Sequence, residues 1–187
     1  MEISLTHAKV VYPESGKELT FHQRFNIQGV SALVAPSGAG KTTLLHLLCG
    51  LLPLSQGEVT APQRTALLFQ ENRLFPWRTV AQHITDVAPK AEGYLAQVGL
   101  EGERNHYPDS LSGGMQRRLA LARLFAYGEA TNAELYLLDE PFTGLEQEWI
   151  DKLLIRLQAL QKPVLLSTHQ VEVAQKISTI ITIGDPT

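Results

Sequence analysis

Two textures of hydrophobicity divide this chain. From Ile3 to Val11 and from Leu19 to Ile27, apolar and polar residues alternate with a period of two, and the turn-forming cluster Pro13-Glu14-Ser15-Gly16 separates the two runs. This predicts two antiparallel strands near the N-terminus. After Gly29 the alternation stops. Short, unbroken apolar runs at 30–35, 65–69, 135–138, 164–167 and 179–183 fit strands buried on both faces of a sheet. Helix-like segments lie among them at 41–49, 79–87, 92–98, 113–126, 146–160 and 171–176, and parallel strands need such crossovers. Gly50 and Gly99 stand where helices end, and Pro163 follows the last turn of another. The predicted class is α/β, with a mainly parallel sheet, an N-terminal antiparallel β subdomain and a small helical subdomain over about residues 75–126. Residues 1–187 read as one domain.

Composition narrows the class without naming a chemistry. The 187 residues are 44% hydrophobic and 19% charged, as expected of a globular protein with a substantial core. A formal charge of −3 gives no reason to expect a nucleic-acid partner. The single cysteine, Cys49, excludes an intramolecular disulfide and a cysteine-rich metal site, and suits a reducing compartment. The start Met1-Glu2-Ile3-Ser4 lacks the basic and apolar blocks of a signal peptide. No apolar run approaches the ~18–20 residues needed to span a bilayer, so a soluble protein is expected.

The strongest local signal is Ala35-Pro36-Ser37-Gly38-Ala39-Gly40-Lys41-Thr42-Thr43, which follows a strand and opens a helix. Small residues let the backbone wrap a phosphate, with amides converging on it at the positive end of the helix. Lys41 adds a point charge for the β- and γ-phosphates, and the Thr42 hydroxyl can ligate Mg²⁺. This makes the core of P-loop NTPase type. One position departs from the usual pattern: Ala35 stands where a glycine is expected, and alanine resists positive φ.

A phosphate loop alone leaves kinases, GTPases and many ATPases open. The deciding features are Leu111-Ser112-Gly113-Gly114-Met115-Gln116-Arg117-Arg118, an apolar-faced helix, and then Leu135-Tyr136-Leu137-Leu138-Asp139-Glu140-Pro141. With Tyr12, Gln70, Thr143-Gly144-Leu145-Glu146 and His169 in order, essentially the whole chain resembles the ATP-binding cassette family. A small P-loop kinase has no reason to carry this set.

The resemblance implies a role for each position, and the residue chemistry suits it. Ser37 to Thr43 would hold the phosphates of ATP, and Tyr12 resembles the aromatic that stacks on adenine; a partly buried strand-end tyrosine is the competing reading. Ser112 is a good N-cap, and Gly113-Gly114 leave bare amides at a helix start. The family reading is that this end meets the γ-phosphate held by a second subunit, in a head-to-tail homodimer with two ATP molecules sandwiched. Asp139 and Glu140 close a buried strand, where adjacent carboxylates are costly without a function. Asp139 would hold Mg²⁺ through water, Glu140 would act as general base, His169 would orient the water, and Gln70 would reach both metal and water. In the loop after Leu145, Glu146 replaces the family's usual aspartate.

Phe75-Pro76-Trp77 follows the polar stretch after Gln70, and either packs the helical lobe or lines a groove for a partner's helix. This stretch and the Ser-Gly-Gly-Met signature resemble importer ATPases of the nitrate, sulfonate and taurine type. The resemblance implies an ATP-hydrolysing subunit, cytoplasmic and peripheral on the inner face of the bacterial inner membrane. Its expected partners are a membrane permease docking at Gln70–Trp77 and a substrate-binding protein in the wider complex. The alternative is the cassette of a non-transport or regulatory complex with weak turnover.

Overall fold

A computed structural model describes residues 1–89, 92–177 and 179–183. Strands β1 (Glu2–Val11) and β2 (Glu18–Asn26) pair antiparallel, with Leu5 opposite Gln23 and Val10 opposite Leu19. The buried side chains of β1 are Ile3, Leu5, Ala8 and Val10. The step from Leu5 to Ala8 breaks the period of two because the register shifts there, with His7 at φ 47°. The bulge restores the apolar face to the core side.

Next come β3 (Val30–Val34), α1 (Lys41–Leu48) and β4 (Gln56–Thr60). The sequence pattern predicts no strand at β4. Only Val59 interrupts an exposed, polar sequence, so no apolar pattern announces it; it is an edge strand that closes the order β2-β1-β4. The chain continues through β5 (Thr65–Leu68), α2 (Val80–Thr85), α3 (Glu92–Gln97) and α4 (Gly113–Ala130). Then follow β6 (Leu135–Leu138), α5 (Gln147–Ala159), β7 (Val164–Ser167), α6 (Val171–Ala174) and β8 (Thr179–Thr182). Residues 90 and 91, inside the expected helical stretch, lie outside the described residues.

Strands β5-β6-β7-β3-β8 form a second sheet whose four pairings are all parallel. Its faces pack into different apolar clusters. Ala32, Tyr136, Leu138 and Leu166 meet α4 and α5 on one side. Leu33, Leu135, Leu137 and Leu165 meet α1 and the antiparallel sheet on the other. Leu44 and Leu45 of α1 are fully buried there, each contributing roughly 1.5–3 kcal/mol. A third cluster joins Val80 and Ile84 of α2, Leu95 of α3, and Leu119, Ala122 and Ala126 of α4.

Helix α4 therefore serves two clusters at once, which explains why it is apolar on more than one face. It also runs four residues beyond the predicted end. Tyr127 to Ala130 read as part of a lengthened connection in sequence, whereas the structure keeps them helical. Gly128 permits this, because a Cβ there would sit 2.4 Å from the Tyr136 hydroxyl on β6.

Candidate functional site

The loops that follow β3, β5, β6 and β7 all leave the carboxyl edge of the parallel sheet, where open α/β sheets place their ligands. The loop after β3 turns left-handed at Gly38 (φ 80°) and Gly40 (φ 85°), and not at Ala35. The alanine departure thus meets no backbone demand that alanine resists. Gly40 is the N-cap of α1 and offers no side chain to its amides. The first-turn N–H groups are then the donors an anion would meet. Lys41 reaches back over the loop, its Nζ donating to the carbonyls of Ala35 (2.8 Å) and Pro36 (3.2 Å).

A chain of hydrogen bonds runs from this loop along the strand ends. The Thr42 hydroxyl donates to Asp139 Oδ2 (2.7 Å), and the Ser167 hydroxyl donates to Asp139 Oδ1 (2.5 Å). Ser167 Oγ also accepts from the Glu140 amide at 3.0 Å. His169 Nδ1 donates to Glu140 Oε2 at 2.9 Å, and the His169 amide reaches the same oxygen at 3.3 Å. Glu140 holds φ at +47°, a strained value for a non-glycine residue and of the kind found at functional sites. Asp139 is 1% exposed, whereas His169 stands out in solvent.

Tyr12, half-buried, shares a 2.7 Å hydroxyl hydrogen bond with Thr43, so its ring sits beside the first turn of α1. Gln70 follows β5, and its carbonyl accepts from Arg117 at 3.2 Å. Ser112 caps α4, its Oγ accepting from the Met115 amide at 3.3 Å. A Cβ on Gly114 would lie 3.0 Å from the Gly144 carbonyl, so the glycine lets the helix start approach the loop after Glu140. Ser112, Gly113 and Gly114 are not hydrogen-bonded to residues 35–43 among the described residues. One chain thus assembles Tyr12, Lys41, Thr42, Thr43, Asp139, Glu140 and His169 locally and leaves Ser112 and Gly113 at the start of α4 exposed.

Two residues of this region take their roles only from the fold. Ser167 is an ordinary strand-end serine until the sheet places it against Asp139, 28 positions away. Arg117 stands in the 111–118 motif with no role of its own, yet it is 2% exposed and donates to oxygens of two loops. Burial pushes its pKa down to about 10, opposed by the negative charges of Asp139, Glu140 and Glu71, so it remains a cation at neutral pH.

The residues fit ATP and Mg²⁺. A hydroxyl and a carboxylate already share a hydrogen bond at Thr42 and Asp139, which are hard oxygen donors of the kind Mg²⁺ takes together with phosphate and water. Next to this site, Leu51, Phe69, Arg73, Phe75, Arg123 and Tyr127 help line a groove of about 580 Å³ between the sheet and α4. Trp77 is 70% exposed, and its ring lies 5.5 Å from that of Phe75. Core packing is therefore excluded for Trp77.

The profile of the ABC transporter family matches residues 21–143, about two thirds of the chain. The chain belongs to the ABC transporter family. Among similar proteins is the aliphatic sulfonates import ATP-binding protein SsuB 1 of Pseudomonas fluorescens, 41% identical over 153 residues, covering 76% of this chain and 58% of that one. SsuB 3 of Paraburkholderia xenovorans is 44% identical over 153 residues, covering 76% and 60%. The chain thus spans about three fifths of the length of these relatives. Among solved structures, the ATP binding subunit of an ABC transporter superimposes with a TM-score of 0.83 at 21% identity, covering 99% of this chain and 87% of that one. A dimeric ATP-binding cassette bound to ADP and Pi superimposes with a TM-score of 0.78 at 24% identity, covering 98% and 94%. Both share the ABC cassette fold with this chain. No helix among the described residues is long and apolar enough to cross a membrane.

Proposed function

We propose that this ABC family chain binds and hydrolyses ATP as the motor subunit of an importer. The observation that carries the reading is the unbroken hydrogen-bonded path from Thr42 through Asp139 and Ser167 to Glu140 and His169, beside a phosphate loop. Glycine-lined amides and Lys41 bind the phosphates of ATP, with Tyr12 at the base side. Mg²⁺, held through Thr42 and Asp139 and approached by Gln70, would neutralise charge on the transferred phosphoryl group. Glu140 accepts a proton from the attacking water as its oxygen bonds to the γ-phosphorus and the bond to the β-phosphate oxygen breaks. His169 donates from Nδ1 to that carboxylate and fixes the two side chains relative to each other.

Because Ser112, Gly113 and Gly114 are exposed or half-exposed and not bonded to the loop, a head-to-tail second copy is the economical way to complete each site. A dimeric cassette with the same fold supports pairing of two copies. The names of the sulfonate-importing relatives support a membrane permease as partner, docking at the groove lined by Phe75 and at the exposed Trp77 ring beside it. That partner would hold the chain at the inner face of the membrane, and aliphatic sulfonates delivered by a binding protein are the first solutes to test.

Glu140→Gln keeps the shape of the base and removes its basicity, so ATP should trap a dimer that elutes early on size exclusion. Lys41→Ala should abolish nucleotide binding in a titration with a fluorescent ATP analogue. A Glu140→Gln protein that stays monomeric in saturating ATP contradicts the sandwich; undiminished affinity in Lys41→Ala contradicts the phosphate loop.

A further inference from the structure

Arg117 lies one turn inside α4 and spends its whole guanidinium on two loops. Nε donates to Pro141 O (3.2 Å), and Nη2 donates to the carbonyls of Asp139 (2.9 Å) and Glu140 (2.7 Å). Nη1 donates to the carbonyls of Phe69 (2.9 Å) and Gln70 (3.2 Å) and to Asn72 Oδ1 (3.2 Å). Every acceptor is a neutral oxygen, and five of the six are backbone carbonyls past the ends of β5 and β6. At those ends the ladders have stopped, so the carbonyls need another partner. The planar fork supplies it for both loops at once, and its fixed geometry ties their relative positions to the helix that carries it.

Glu140 makes this tie consequential. Its positive φ has no local preference behind it and must be imposed by its surroundings. Ser167 holds its N–H, and Arg117 holds its C=O together with the carbonyls on either side. The direction of the Glu140 side chain is thereby set from α4. The same helix holds the rest of the Gln70 loop through Arg123, whose Nη atoms donate to Arg73 O (2.9 Å) and Asn72 O (3.0 Å).

We propose that Arg117 is a positioning residue that links the Ser112–Gly114 end of α4 to Glu140 and Gln70 of the same chain. The proposal rests on the sandwich reading: Ser112–Gly114 of one copy engages the nucleotide of the other. A shift of α4 on that engagement carries Arg117 with it, and Arg117 carries the backbone on both sides of Glu140. Occupancy of one site then sets the geometry of the general base in the other.

The test uses the whole chain with Arg117→Gln and Arg117→Lys, each alone and combined with Glu140→Gln. Steady-state ATPase gives kcat and KM, a fluorescent ATP analogue gives affinity, size exclusion gives dimerisation, and urea melts give stability. Arg117→Gln should lower kcat about 10–100-fold with little change in KM or ATP affinity, since only the base is displaced. Its double variant with Glu140→Gln should still dimerise in ATP. Arg117→Lys, which keeps the charge and some of the bonds, should recover part of the lost kcat; it also gives the same kcat-against-KM split if the glutamine variant fails to fold. An unchanged kcat in folded Arg117→Gln overturns the proposal. So does a loss shared equally by kcat, affinity and folding in both variants, which marks a mere scaffold. If Glu140→Gln alone stays monomeric in ATP, the sandwich fails and takes this coupling with it; a dimer there with unchanged kcat in Arg117→Gln overturns the coupling alone.

Discussion

Ser167 and Asp139, at the ends of adjacent parallel strands, share a 2.5 Å hydrogen bond in which the serine donates. Thr42 supplies the second hydroxyl, so among the described residues a nearly buried carboxylate is satisfied by two hydroxyls. Ser167→Ala would leave one carboxylate oxygen and the Glu140 amide without their partner. The expected cost is about 1–3 kcal/mol of stability, read from the midpoint of urea unfolding. An unmoved midpoint would refute the arrangement.

The strain at Glu140 makes an opposite prediction. Glycine accepts φ of +47° without penalty, and Glu140→Gly also removes a carboxylate beside that of Asp139. The variant should be as stable as the parent or up to about 1 kcal/mol more stable, while hydrolysing no ATP. Differential scanning calorimetry beside a phosphate-release assay checks both halves; a clear loss of stability would show that the strain is not stored there.

His83 predicts a pH dependence. It is 1% exposed; its Nδ1 donates to the Thr79 carbonyl (2.8 Å) and its Nε2 accepts from the Phe75 amide (2.9 Å). Burial holds its pKa below the ordinary 6.5, against the opposing bond to Thr79. As pH falls through about 6.5, the unfolded chain takes a proton that the folded chain resists, so stability is full above that value and is lost below it. His46, lowered mainly by burial as well, adds a slope of the same sign. Melting temperature should therefore drop between about pH 7.5 and 5.5, and His83→Leu should flatten part of the drop. A slope identical in the variant would remove His83 from the account.

Trp77 separates packing from docking. Its side chain is largely in solvent, so Trp77→Ala should change stability by no more than about 0.5 kcal/mol. Co-purification with the permease should weaken, while ATP-driven dimerisation of the Glu140→Gln background stays intact. A variant that binds the permease as well as the parent does would remove Trp77 from the docking surface.

What could be read in the sequence follows from how local each signal is. Ser112 announces the start of α4 because an N-cap is a matter of one side chain and an amide three residues on. The unbroken runs of β6 and β7 announce burial on both faces, which the two apolar clusters deliver. Edge strand β4 is silent because backbone pairing with β1, not apolar burial, makes it a strand. Ser167 and Arg117 are silent because their partners lie 22 to 48 positions away and are mostly backbone oxygens or a carboxylate reached only through the fold. Gly128 reads as part of the connection after α4; its place inside the helix depends on the ring of Tyr136, which belongs to another element.

Helix α4 has 18 residues, which at 1.5 Å each makes a rod about 27 Å long. It is gripped by apolar contacts on two sides and so moves as a stiff piece. A tilt of about 10° about its far end swings Ser112 through about 5 Å and Arg117, just over one turn in, through about 3.5 Å. Most of the movement thus reaches the point where the guanidinium grips the loops. A small angular adjustment of one rod is enough to open or close the geometry at both.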